Sequence, residues 1–116
     1  MKTEFQTFVD EMQKIPSTPE PTYSYGFEDY QIDACATLGP DRDIKSLALG
    51  VGGEAGEVLE IIKKGFRPGR SIDKEHLKEE IGDVMWYLAV LADSLDLDLE
   101  EIAVMNIAKL KERYGR

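Results

Sequence analysis

Residues 76–95, HLKEEIGDVMWYLAVLADSL, place Leu77, Ile81, Val84, Leu88, Leu91 and Leu95 at alternating spacings of four and three. Such spacing lines one face of an α-helix and is the apolar stripe of a helix bundle. The helix is expected to begin around Ser71 or Asp73, either of which offers a side-chain oxygen to the first free N–H groups. Trp86 points about opposite the stripe, so a second buried surface, such as a subunit interface, would explain it.

The stretch before it reads the same way. Residues 50–64, GVGGEAGEVLEIIKK, continue a helix that starts near Asp41 or Asp43 and stops at Gly65, just after Lys63 and Lys64, where a glycine cap and C-terminal cations are favourable. Another helix is expected from Phe27 to about Leu38, closed by Gly39-Pro40, since proline forbids continuation. Asp98 with Glu101 resembles a capping box opening a last helix through about Arg113. Phe5, Phe8, Val9, Met12 and Ile15 recur at helical spacing up to Pro16, and residues 16–26, PSTPEPTYSYG, read as an extended linker. No stretch alternates like a strand and nothing repeats, so the expectation is an all-α chain. It divides into an N-terminal helix and Pro-rich linker over 1–26 and a helical domain over 27–116.

With 116 residues, 42% hydrophobic and 32% charged, the chain suits one globular domain with a modest core. The formal net charge of −9 disfavours binding to nucleic-acid backbone, which needs many Lys and Arg against phosphates. Any phosphate-bearing ligand requires a cation or a local basic cluster to offset repulsion. Cys35 is the only cysteine, which excludes an intrachain disulfide and a C-x-x-C metal or redox motif and fits a reducing compartment. Residues 1–12 lack the continuous apolar run of a signal peptide, and no stretch approaches a membrane span. Cytoplasmic, with no membrane or nucleic-acid partner, is the expectation.

One position breaks the pattern. The four-three series of the second long helix is Leu47, Val51, Glu54, Val58 and Ile61, a core-facing row with a carboxylate in it. Burying an unpaired carboxylate costs on the order of several kcal/mol, comparable to a small domain's whole stability. Glu54 must therefore be protonated, paired or bound to metal. Its company is Glu57, three residues on and on the same face, and Glu80 with Asp83, an equivalent pair at the edge of the next helix. Two such pairs facing one another make an oxygen cage, which suits Mg²⁺ or Mn²⁺ rather than zinc or copper. Single Glu-x-x-Glu patterns are usually solvated, and Glu75, Glu79, Glu100 and Glu101 take that reading. A di-iron bundle would need Glu-x-x-His on two helices. His76 is the only histidine and reads as a surface residue.

GVGGEA at 50–55 matches a dinucleotide-binding string, but no βαβ unit surrounds it and Glu54 would sit where a pyrophosphate needs positive potential. Gly50, Gly52, Gly53 and Gly56 each cost a helix about 1 kcal/mol relative to Ala. They serve either close helix packing or backbone approach to a ligand. On the last helix Asn106, Lys109 and Arg113 share a face with Ile102, which reads either as a face meeting solvent or as phosphate contacts, with Lys64 a further contributor. Tyr87 continues the edge that holds Asp83.

Taken together, GEAGEVLEIIKK and EEIGDVMWYLAVLADSLDLDLEEIAVMNIAKLKERYG closely resemble the MazG-like family of all-α nucleoside triphosphate pyrophosphohydrolases, over roughly Tyr30 to Gly115. The resemblance implies a four-helix-bundle-like fold in an obligate oligomer, a homodimer or homotetramer. It implies Mg²⁺ held by Glu54, Glu57, Glu80 and Asp83, and cleavage of NTP or dNTP to the monophosphate and pyrophosphate, as in nucleotide-pool housecleaning. Asn106, Lys109 and Arg113 map onto phosphate contacts and Tyr87 onto a base or sugar contact. Glu57 is a candidate base. The alternatives are a helical interaction module without catalysis and a hydrolase of another pyrophosphate-containing small molecule.

Overall fold

The computed structural model describes residues 1–4, 6, 7, 10, 24–40 and 42–116. Most of the expected N-terminal helix and linker lies outside the described residues. The rest forms α1 (Phe27–Thr37), α2 (Ile44–Gly65), α3 (Lys74–Ser94) and α4 (Leu99–Tyr114), with no strand among the described residues. The all-α expectation holds.

Each start is set by a local capping interaction. The Asp29 carboxylate accepts from the Gly26 N–H at 3.0 Å. Asp43, Asp73 and Asp98 are the N-caps of α2, α3 and α4, accepting from Lys45 N, His76 N, and Glu100 and Glu101 N respectively. These aspartates satisfy donors that no helical carbonyl can reach. α4 ends at Gly115, whose φ of 67° is the left-handed cap conformation that glycine adopts without strain.

α2 and α3 pack side by side as the main pair, α1 lies mostly on α3, and α4 touches only α1 and α3. The core is Ala34, Leu47, Ala89 and Val90, with Tyr30, Cys35, Leu38, Trp86, Tyr87, Leu91 and Leu99 packed around it. Here the stripe expected on α3 needs correcting. Ile81, Leu88 and Leu95 are 45%, 43% and 52% exposed, whereas Ala89, Val90 and Ala92 are buried. Small side chains at 89 and 92 let the neighbouring backbones come close, and the Trp86 face turns inward. Trp86 packs on this core and its indole N–H donates to Thr37 Oγ1 at 2.7 Å, so an intramolecular contact accounts for it.

The row on α2 is as expected, with Leu47 and Ile61 buried and Val51, Glu54 and Val58 half-buried between them. Gly50 is explained by close packing: a Cβ there would lie 2.1 Å from the Tyr87 ring. Gly52, Gly53 and Gly56 face open space. One buried polar side chain ties the bundle together. Gln31 donates to the carbonyls of Ala89 (3.1 Å) and Leu97 (3.0 Å) and accepts from Leu99 N (3.1 Å), joining α1 to α3 and to the start of α4.

Candidate metal centre

Packing α2 against α3 brings Glu54, Glu80 and Asp83 together. One carboxylate oxygen from each lies within 4.8 Å of the other two, Glu54 and Glu80 half-buried and Asp83 exposed. Oxygen donors at this spacing fit a hard divalent cation. A second observation supports the fit: Glu80 Oε2 is buried and has no hydrogen-bond partner. A buried polar atom left without a partner is uncommon.

The electrostatics have the same origin. The Glu54 carboxyl is held above the ordinary carboxylate range, first by its hydrogen bond with Glu80, then by burial, then by the Glu80 charge. Two acids held this close favour a positive charge between them. Tyr30 on α1 adds to this wall. Its hydroxyl reaches the Gly82 carbonyl at 3.5 Å, and burial followed by the Asp83 charge pushes it up. His76 approaches from the other side, Nε2 lying 3.5 Å from Glu80 Oε1 with the ring half exposed.

Glu57 does not join the three acids. It is exposed and lines an adjacent cleft of about 270 Å³ with Lys64, Arg67, Arg70 and His76. Tyr87 is half-buried, seated on Gly50 with its ring edge-on to Trp86 at 5.0 Å, so packing accounts for its position. Asn106, Lys109 and Arg113 are exposed on α4, which makes no contact with α2. Within one chain the phosphate-contact candidates of the last helix stand apart from Glu54.

Sequence reading did not single out Tyr30, Arg67 or Arg70; His76, read as a surface residue, is exposed and also lies near Glu80. The four-residue step from His76 to Glu80 was a usable signal, since such pairs are helix neighbours. Tyr30 carried none, because its approach depends on how α1 crosses α3.

Residues 42–115 match the MazG nucleotide pyrophosphohydrolase domain. The chain is also 38% identical over 99 residues to the Gene 37 protein of Mycobacterium phage L5, covering 75% of this chain and 87% of that one. Comparison with solved structures returned no match. No helix among the described residues is long and apolar enough to cross a membrane. The all-helical architecture, the acids shared between α2 and α3, and a match running from the start of α2 to the end of α4 converge: the chain belongs to the MazG nucleotide pyrophosphohydrolase domain family.

Proposed function

We propose that the protein is a Mg²⁺-dependent nucleoside triphosphate pyrophosphohydrolase, converting NTP or dNTP to the monophosphate and pyrophosphate. The observation that carries this reading is the orphaned Glu80 oxygen inside a three-carboxylate cluster. Glu54, Glu80 and Asp83 would hold Mg²⁺, or Mn²⁺ in its place, with Glu57 at the rim. The bound cation supplies charge neutralisation of the triphosphate and polarisation at phosphorus.

The remaining steps belong to the chain. Water adds to the α-phosphorus, the bond from that phosphorus to the bridging oxygen breaks, and pyrophosphate leaves. Glu57, exposed and three residues from Glu54 on the same helix, would accept the proton the water releases. Lys64, lining the same cleft, offsets phosphate charge. Asn106, Lys109 and Arg113, exposed on α4, are further phosphate contacts in this reading.

A homodimer or homotetramer is part of the proposal. α4 has no buried residue, and Ile81, Met85 and Leu88 leave an apolar strip of α3 in water. Apolar faces of this extent belong under a partner surface. A helical module without catalysis would share these faces but would have no use for an unpaired buried carboxylate oxygen.

The test is phosphate release with added inorganic pyrophosphatase and Mg²⁺ across the eight common nucleotides. Activity on at least one, abolished in a Glu54→Gln, Glu80→Gln double variant that stays folded, is expected. Wild-type turnover no greater than that of the double variant would refute the proposal.

A further inference from the structure

α2 ends in a turn whose residues the acid cluster does not use. Arg67-Pro68-Gly69-Arg70 closes with the Arg70 N–H donating to the Arg67 carbonyl at 3.0 Å, and Gly69 has φ of 75°. Proline second and a positive φ third is the pattern of a type II turn, which holds its first and fourth residues within about 7 Å of each other. The backbones that carry two arginine side chains are thus held close, and both residues line one cleft. The turn is folded back on the helix because Gly65 has no Cβ: one there would meet Ile72 Cγ1 at 2.5 Å and Ile72 Cα at 2.9 Å. Gly65 and Ser71, on either side of this turn, both line the 270 Å³ cleft.

Lys64, Arg67 and Arg70 line this cleft, and among the described residues none of them forms an ion pair. In a chain with 23 acidic residues against 14 basic ones, three cations gathered in one cleft, none of them ion-paired among the described residues, suit an added anion. The acids that also line the cleft are largely occupied or belong to the metal side. Asp73 Oδ1 accepts from the His76 N–H at 3.1 Å, Glu60 Oε2 lies 3.9 Å from Lys63 Nζ, and Glu57 adjoins the cluster. His76 lines the cleft as well, linking it to Glu80.

We propose that this cleft is a polyphosphate subsite, in which Lys64, Arg67 and Arg70 hold the terminal two phosphates of the substrate and then the pyrophosphate product. The proposal rests on the pyrophosphohydrolase reading and deepens it. Arginine forks match phosphate oxygens two at a time, and a lysine adds a point charge. The three cations would neutralise one end of the polyphosphate, and His76, 3.5 Å from Glu80 Oε1, joins the cleft to the acids that would hold Mg²⁺. It also assigns the leaving-group end to the turn between α2 and α3 rather than to Lys109 and Arg113.

The test uses the full chain with Mg²⁺ and inorganic pyrophosphate as the probe. Binding is read by titration calorimetry and by product inhibition, in wild type, in an Arg67→Gln, Arg70→Gln variant and in a Lys109→Gln, Arg113→Gln variant. The expected result is a loss of pyrophosphate affinity of tenfold or more in the turn variant, with nucleoside monophosphate inhibition and thermal stability unchanged. Pyrophosphate affinity unchanged in the turn variant, or lost only in the Lys109, Arg113 variant, overturns the subsite while leaving the activity standing. Pyrophosphate binding that depends on Arg67 and Arg70 in a protein that hydrolyses no nucleotide supports the subsite and overturns the pyrophosphohydrolase reading.

Discussion

Gln31 and Glu80 are both polar side chains drawn into the packing around α3, and the fold treats them in opposite ways. The Gln31 amide gives two hydrogen bonds and receives one. Glu80 keeps one buried oxygen with no partner and has Glu54 and Asp83 for neighbours. A paired buried amide stabilises one arrangement of helices, whereas an unpaired carboxylate among other acids destabilises it until a cation arrives. The first is architecture and the second is the proposed site.

The strongest way to break this contrast is through activity. Replacing both Glu54 and Glu80 by Gln is expected to lower kcat/KM by at least ~100-fold, as loss of metal ligation does. In the absence of metal the same variant should melt no lower than wild type, because amides can pair where carboxylates repel. A marked loss of stability, seen by calorimetry in EDTA, would mean the acids are structural.

Gln31→Leu should do the reverse. It strands the Leu97 carbonyl and the Leu99 N–H and removes a second donor from the Ala89 carbonyl, a cost on the order of 2 kcal/mol, read as a lower urea midpoint. Per folded molecule, catalysis should be retained. Gly50→Ala drives a methyl into the Tyr87 ring and is expected to cost about 2 kcal/mol by overpacking.

The raised Glu54 carboxyl sharpens the contrast further. Its folded carboxyl is raised above the unfolded value, so the two states bind protons equally well at low pH. Stability of the metal-free protein should then fall as pH rises from the ordinary carboxylate range through the raised folded value, and level off beyond it. Melting curves against pH should show this decline in EDTA, its removal by Mg²⁺, and a flatter profile for Glu54→Gln.

The smallest effect concerns the open face of α2. Gly52→Ala and Gly56→Ala meet nothing within 4 Å, so each should stabilise a monomer by about 1 kcal/mol through helix propensity. A loss of stability or of oligomer, measured by denaturation and light scattering, would show that another surface lies against these glycines.

The helix starts were legible because they rest on neighbouring atoms: Asp43, Asp73 and Asp98 cap the helices they precede, whereas Gly65, expected as a cap, is the last helical residue of its helix and Phe66 is the cap. Glu54 was legible as an anomaly because its row, Leu47 to Ile61, is defined by helical period alone. Which face of α3 would turn inward was not. Periodicity located the Ile81–Leu88 strip and the Trp86–Val90 face, but Ala89 and Ala92 gain their value only when another backbone comes close.

By itself the sequence determined four helices, their caps, and a carboxylate out of place in a core row, since each depends on contacts within a few residues. Tertiary structure alone decided that Glu80 and Asp83 meet Glu54 while Glu57 faces the Arg67–Arg70 turn, and that α4 stands clear of α2. The physical reason is that such convergence depends on the rotation of one helix about its axis against another. That rotation is chosen by the summed packing of small side chains rather than by any local pattern.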